Sequence, residues 1–139
     1  MSRTTTVASD HDVLVVGGGI AGLQTALDLA DRGRKVLVVE KEPSIGGKMI
    51  ALSKVFPTMD CASCITTPRM SSAAHHDNVD IWVYSEIEEL TPDPEGVFSA
   101  TIRRRATYVS EDDCIGCRLC EYACPVEVPH AFEGEMGAR

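Results

Sequence analysis

Val13-Leu14-Val15-Val16 is a continuous apolar run that ends in three glycines, after which the apolar period changes. Leu23, Ala26, Leu27 and Ala30 then recur at helical spacing, while Gln24, Asp28, Asp31 and Arg32 take the opposite face. Gly33 stands where a C′ residue would close that helix. A second apolar run, Val36-Leu37-Val38-Val39, follows at once. Strand, helix, strand reads as a βαβ unit. Both strands are apolar on both faces, as in a buried parallel sheet.

From Pro43 to His76 the pattern dissolves. Gly46-Gly47, Pro57 and Pro68 break it, which predicts long loops with room for one short helix. Asp80 to Leu90 reads as one strand leading into an acidic turn, and Pro92-Asp93-Pro94-Glu95-Gly96 is a strong turn signal. Val97 to Ile102 alternates as a strand and resumes after a break through Thr107 to Val109. The two strands around the turn are read as a hairpin.

The chain has 139 residues, which fits about one domain. Its apolar content of 44% allows a core, but aromatics are only 5%, so that core must come from Val, Leu, Ile, Ala and Met. A net charge of −8 makes a poor phosphate-backbone binder, and Arg103-Arg104-Arg105 is too short to reverse that. The triplet reads as a solvated edge, and no nucleic-acid partner is expected. No apolar stretch approaches the ~20 residues that span a bilayer, so no transmembrane segment is expected. Met1 to Asp12 has no apolar h-region and reads as a disordered lead-in, not a secretory signal. Clustered cysteines without an export signal point to a reducing cytoplasm, and to metal or redox chemistry over disulfides.

Two motifs carry chemistry. In Gly17-x-Gly19-x-x-Gly22, the first glycine permits a tight turn and the second lets a pyrophosphate approach the backbone. The third lets helix and sheet pack closely. The helix N-terminus then faces the pyrophosphate. Glu40 ends the second strand, 23 residues after Gly17, where a carboxylate accepts hydrogen bonds from ribose hydroxyls and disfavours NADP. This is the strand–turn–helix context that a dinucleotide site requires. FAD and NAD are harder to separate. Glu40-Lys41 followed by Gly46-Gly47-Lys48 favours FAD, because flavoproteins of the glutathione reductase type resemble it.

The second motif is Cys114-x2-Cys117-x2-Cys120-x3-Cys124-Pro125, the spacing with which bacterial ferredoxins hold a 4Fe–4S cluster. Gly116 relieves crowding where amides turn toward sulfide. In two-cluster ferredoxins the Cys before Pro serves the other cluster. So either Cys124 closes the same cube or the fourth thiolate comes from elsewhere. Cys61-Ala-Ser-Cys64 is the obvious other source. Cluster ligation, a redox dithiol and an incidental role all remain open for that pair. Zinc is the metal alternative for the late cysteines, but structural zinc sites usually pair two separated knuckles. His75-His76 reads as surface, and Trp82 and Tyr84 as packing residues on a strand.

On these residues the chain resembles the iron–sulfur flavoprotein subunit of heterodisulfide reductases. The likeness runs through Val15 to Gly22, Leu27-Asp28-Leu29-Ala30 and Val39 to Gly47. Phe56-Pro57-Thr58-Met59-Asp60-Cys61-x-x-Cys64-Ile65 and Cys124-Pro125-Val126-Glu127-Val128-Pro129 are the more specific parts. The related flavoprotein subunit of quinone-interacting oxidoreductases is also similar. The resemblance implies an oxidoreductase subunit that passes electrons between FAD and 4Fe–4S clusters, with disulfide reduction in a partner subunit. It also implies family sequence after Arg139, so the chain is read as an N-terminal module, from a truncated gene or a split subunit. Its expected partners are other such subunits or the missing C-terminal part of its own.

The expected fold class is α/β: a partial Rossmann-like βαβ unit, a β-hairpin and a ferredoxin-like segment. The expected domains are a lead-in over 1–11, a nucleotide-binding domain with its C-x-x-C loop over 12–109, and a 4Fe–4S segment over 110–139. A self-contained small flavin- or NAD-dependent oxidoreductase is one alternative. A non-catalytic docking domain with a structural cluster is the other.

Overall fold

The computed structural model describes residues 3–4, 10–94, 97–110 and 113–129. The chain divides into two compact units, Met1–Ala106 and Thr107–Arg139. In the first unit a two-residue strand β1 (Arg3–Thr4) precedes β2 (Val13–Val16), α1 (Ile20–Ala30) and β3 (Val36–Val39). A 3-10 turn (Gly47–Ala51), β4 (Lys54–Val55), β5 (Asp60–Cys61) and α2 (Ala62–Ala74) follow. The unit closes with β6 (Val79–Trp82), β7 (Ser85–Pro92) and β8 (Phe98–Arg104).

The apolar runs form a parallel sheet in the order β2-β3-β6, with Val13 opposite Val36 and Val36 opposite Val79. Side chains alternate across it. Val36 and Val38 face Ala26 and Ala30 of α1, whereas Leu37 and Val39 pack with Ile102 of β8 and Ile87 of β7. The central strand is therefore covered by helix on one face and by the hairpin on the other, which is why it carries no polar residue. Leu23 and Leu27 bury against Ile45 and Ala73, so α2 lies beside α1 on the helical face.

α1 ends as its spacing predicts. Gly33 adopts φ +79, its amide bonds the Ala30 carbonyl at 2.8 Å, and the Arg34 amide reaches Leu29 at 3.1 Å. These are the paired bonds of a Schellman cap with Gly33 at C′.

Four expectations need correction. The stretch from Pro43 to His76, expected as loops with a short helix, contains the thirteen-residue α2. Its buried positions are only Ala62, Thr66 and Ala73, so no long apolar stripe marks it. Pro68 sits inside it and has no N–H to offer the Cys64 carbonyl. Asp80 to Leu90 is two strands in two sheets, not one strand. The chain turns between them at Tyr84, with φ +51, and β6 supplies the third parallel strand. No glycine, proline or asparagine announces that turn. Thr107 to Val109 forms no strand. In the lead-in, Arg3 and Thr4 pair antiparallel with Arg104 and Arg103, extending the hairpin sheet to β1-β8-β7. Residues 5–9 lie outside the described residues.

The hairpin itself forms, with Pro92 opposite Phe98 and a bulge between Ile87 and Glu89. Glu95 and Gly96 of its turn lie outside the described residues. Arg103 bridges Glu86 at 2.9 Å and Glu88 at 3.0 Å, and Arg105 reaches Glu86 at 2.6 Å. Arg103 and Arg105 of the basic triplet thus lie against an acidic strand. Of the packing residues, Trp82 joins Leu37 and Val39, and Tyr84 occupies the turn. His75 is exposed, while half-buried His76 accepts the Asn78 amide at 3.1 Å.

The second unit has one short helix, α3 (Leu119–Tyr122). Arg118 precedes it in the left-handed region, pairs with Glu121 at 2.7 Å and lies over the Tyr122 ring at 5.5 Å. Every described side chain from Thr107 to Pro129 is exposed, so these residues share no apolar core. Residues 111–112 and 130–139 lie outside the described residues. Among the described residues, no helix is long and apolar enough to cross a membrane.

Candidate functional site

The glycine loop joins β2 to α1. Gly17 leaves the strand at φ +98, its amide on the Val39 carbonyl at 2.8 Å. A Cβ on Gly22 would stand 2.0 Å from the Gly17 carbonyl oxygen, so helix and loop approach as only glycine allows. Gly19 is the N-cap of α1 and provides no side-chain cap. The amides of the first helical turn thus keep the unsatisfied, partly positive end that holds anions. A Cβ on Gly19 would meet nothing within 4 Å, so the space over the loop is open.

Glu40 lies at the end of β3, beside this loop. The Gly18 amide donates to its Oε2 at 2.6 Å and the Glu42 amide to its Oε1 at 2.9 Å. The residue is only 6% exposed. Its carboxylate therefore holds the glycine loop. Each oxygen has a second lone pair for a hydroxyl donor.

Gly46 and Gly47 pack on the same loop. The Gly46 amide bonds the Gly18 carbonyl at 2.7 Å, and a Cβ on Gly47 would come 3.0 Å from Gly19 Cα. The structure thus brings Gly17, Gly19, Gly22, Glu40 and Gly47 together. Lys41 and Lys48 flank this group in the chain; Lys41 is exposed and Lys48 sits next to Gly47. Sequence reasoning quoted Gly46 within the Gly-Gly pair but gave no role to Gly18, although it adjoins a glycine that reasoning had singled out. It also missed Ile45, whose Cγ2 would lie 2.9 Å from a Cβ on Gly18.

Cys61 is the N-cap of α2, and Cys64 lies in its first turn; both are exposed and reduced. The Cys64 amide, the Cys64 thiol and the Ser63 amide, in that order, hold the Cys61 thiol below its ordinary pKa. The same contact with Cys61 raises Cys64. One thiol of the pair is therefore the better thiolate. Cluster ligation and dithiol chemistry both use such a thiolate.

In the second unit Cys114, Cys117, Cys120 and Cys124 are all reduced and exposed. Gly116 takes φ +69 between the first two. The Cys124 amide bonds the Glu121 carbonyl at 3.1 Å. Among the described residues, no three Cys, His, Asp or Glu side chains converge as a metal site. The donor set fits a cluster by thiolate chemistry and spacing. The nucleotide loop fits a dinucleotide by its glycine cradle and its uncapped helix end.

Residues 12–104 match the FAD dependent oxidoreductase family, and the chain belongs to it. Residues 107–130 match the 4Fe-4S binding domain, which favours iron–sulfur over zinc there. Among curated proteins, a CoB–CoM heterodisulfide reductase iron-sulfur subunit of Methanopyrus kandleri is 47% identical over 98% of this chain. The corresponding CoB–CoM heterodisulfide reductase iron-sulfur subunit of Methanocaldococcus jannaschii is 49% identical over 96%. The chain spans 20% of the length of each relative. Among solved structures, thioredoxin reductase from T. acidophilum aligns with TM-score 0.56 and 22% identity, over 69% of this chain and 33% of that one. L-proline dehydrogenase from P. horikoshii aligns with TM-score 0.59 and 22% identity, over 68% and 19%. At that identity the two structures speak for the fold alone.

Proposed function

We propose that this chain is an electron-transfer module of a heterodisulfide-reductase-like iron–sulfur flavoprotein. The observation that carries the reading is one short chain with a glycine cradle in a flavoprotein fold, followed directly by a ferredoxin-type cysteine run. Bound FAD and a 4Fe–4S cluster would supply the one-electron transfer chemistry of the module. Gly17, Gly19 and Gly22 shape the pyrophosphate contact, and the α1 N-terminus neutralises its charge. Glu40 orients the ribose and holds Gly18 in place. Gly47 buttresses the loop, while Lys41 and Lys48 border it. Cys114, Cys117 and Cys120 are the first three cluster ligands. Cys124 is the fourth, or Cys61 or Cys64 takes that place.

The partners are the rest of such a subunit or the other subunits of its complex, and the location is cytoplasmic. This chain carries no chemistry on a substrate bond. The test is an anaerobic preparation with iron, sulfide and flavin quantified, and spectra recorded before and after dithionite. Four irons per chain with a reducible signal are expected, together with no disulfide reduction by the isolated chain; one flavin held stoichiometrically by the isolated chain would favour the self-contained oxidoreductase instead. A catalytic rate of disulfide reduction without partners would overturn the reading, as would a preparation that takes up neither iron nor flavin.

A further inference from the structure

The turn between Cys117 and Cys120 is built around Arg118. This residue stands in the left-handed region, at φ +62 and ψ 8, which residues other than glycine seldom adopt. Its carbonyl accepts the Glu121 and Tyr122 amides at 3.1 Å each, which starts α3. Its guanidinium folds back over the same turn. There Nε donates to Glu121 Oε2 at 2.7 Å and Nη2 donates to Oε1 at 2.8 Å. Arginine makes this two-bond fork with a carboxylate, whereas lysine offers only a point charge. The Tyr122 ring lies 5.5 Å from the guanidinium carbon.

Arg118 is also alone in its sign. Among the described residues from Thr107 to Pro129 it is the single basic one, while Asp113, Glu121 and Glu127 are acidic. It adjoins Cys117 and lies two residues before Cys120. Reduction adds one negative charge to a cluster, so a fixed cation nearby favours it and a fixed anion opposes it.

We propose that Arg118 and Glu121 form a paired charge that sets the reduction potential of a cluster on Cys117 and Cys120. Neither residue is a ligand; each cancels the other's field. Without its partner, the arginine pulls the potential up and the glutamate pulls it down. The inference rests on reading Cys117 and Cys120 as cluster ligands.

The test is an anaerobic redox titration of the reconstituted 139-residue chain, followed by the EPR signal of the reduced cluster. Glu121→Gln should raise the midpoint potential and Arg118→Gly should lower it. Each shift should be about threefold in the reduction equilibrium, or about 28 mV at ~59 mV per tenfold for one electron. Glycine keeps the left-handed turn, so Arg118→Gly removes the charge without straining the backbone. Arg118→Lys keeps the charge and should stay near the parent potential. The double variant Arg118→Gly/Glu121→Gln should return to it. Both single shifts should shrink in about 1 M salt, since the pair is exposed. A purely structural role would move both single variants the same way. Shifts of one sign, or none, in chains that carry a full cluster overturn the proposal and leave the ligand reading standing. If Arg118→Gly takes up no iron, an upward shift in Glu121→Gln with none in Arg118→Lys supports the proposal, and any other pattern overturns it. Failure of the parent chain to take up iron overturns both the proposal and the ligand reading.

Discussion

Residues 13–16 and residues 36–39 spell the same tetrapeptide, Val-Leu-Val-Val, and the protein treats them differently. All four residues of β3 are buried, whereas in β2 only Val15 is. Intrinsic propensity cannot explain this, since it is identical in both. β3 has a strand on each side, a helix over one face and the hairpin over the other. Among the described residues β2 has one neighbouring strand, and its last residue emerges at the glycine loop. The value of an apolar side chain here is set by what surrounds it. The comparison also locates function, because the nucleotide loop springs from the less buried strand and its anchoring carboxylate from the more buried one.

The largest effect should come from placing one charge at the matching end of each copy. Val39→Lys strands an ammonium in the sheet interior and should cost more than about 4 kcal/mol, seen as loss of the cooperative urea transition. Val16→Lys should stay within about 0.5 kcal/mol in the isolated chain, as exposed substitutions do. Equal losses at the two sites would break the comparison.

Next comes the anchor at the end of β3. Glu40→Ala leaves the Gly18 and Glu42 amides without their acceptor and should cost about 2–3 kcal/mol. Glu40→Gln keeps one acceptor oxygen and should lose less. If urea midpoints rank the two the other way, the carboxylate does not hold the loop.

At the end of β2, Gly22→Ala sharpens the contrast. In an ordinary helix alanine gains about 1 kcal/mol over glycine. Here its Cβ collides with the Gly17 carbonyl, so a net loss of about 1–2 kcal/mol is expected, with weaker flavin retention. A raised melting temperature would mean that helix and loop separate freely.

The smallest effect belongs to the hairpin that covers β3. Arg103 first, then Arg105, hold the Glu86 carboxyl below its usual range. A depressed carboxyl adds stability above its unfolded pKa and loses it as pH falls through the folded one. Glu86→Gln should therefore lower the melting temperature slightly at neutral pH and leave it unchanged in strong acid. High salt should shrink the difference. A difference that grows on acidification would contradict the ion pair.

Much of the site was legible because its signals are local. The glycine spacing, the helical period of Leu23 to Ala30, the Gly33 cap and the interval to Glu40 each reflect geometry within one βαβ unit. The cysteine spacing is a local signal too, and residues 107–130 match the 4Fe-4S binding domain. α2 was not legible as a long helix, because its buried positions are the small residues Ala62, Thr66 and Ala73 and its interior holds Pro68. The split of Asp80 to Leu90 was not legible either. Alternation shows that a segment is extended, not which sheet each half will join.

Local order along the chain is enough to specify a βαβ nucleotide unit followed by a cysteine run spaced for a cluster, because both rest on short-range stereochemistry. Folding in three dimensions adds that Glu40 ties down Gly18, that Gly46 and Gly47 lock onto the glycine loop, and that one Val-Leu-Val-Val is core while the other lies at the edge of the sheet among the described residues. Those outcomes depend on residues far apart in the chain meeting in space, where burial and hydrogen bonding are settled by neighbours that no local pattern names.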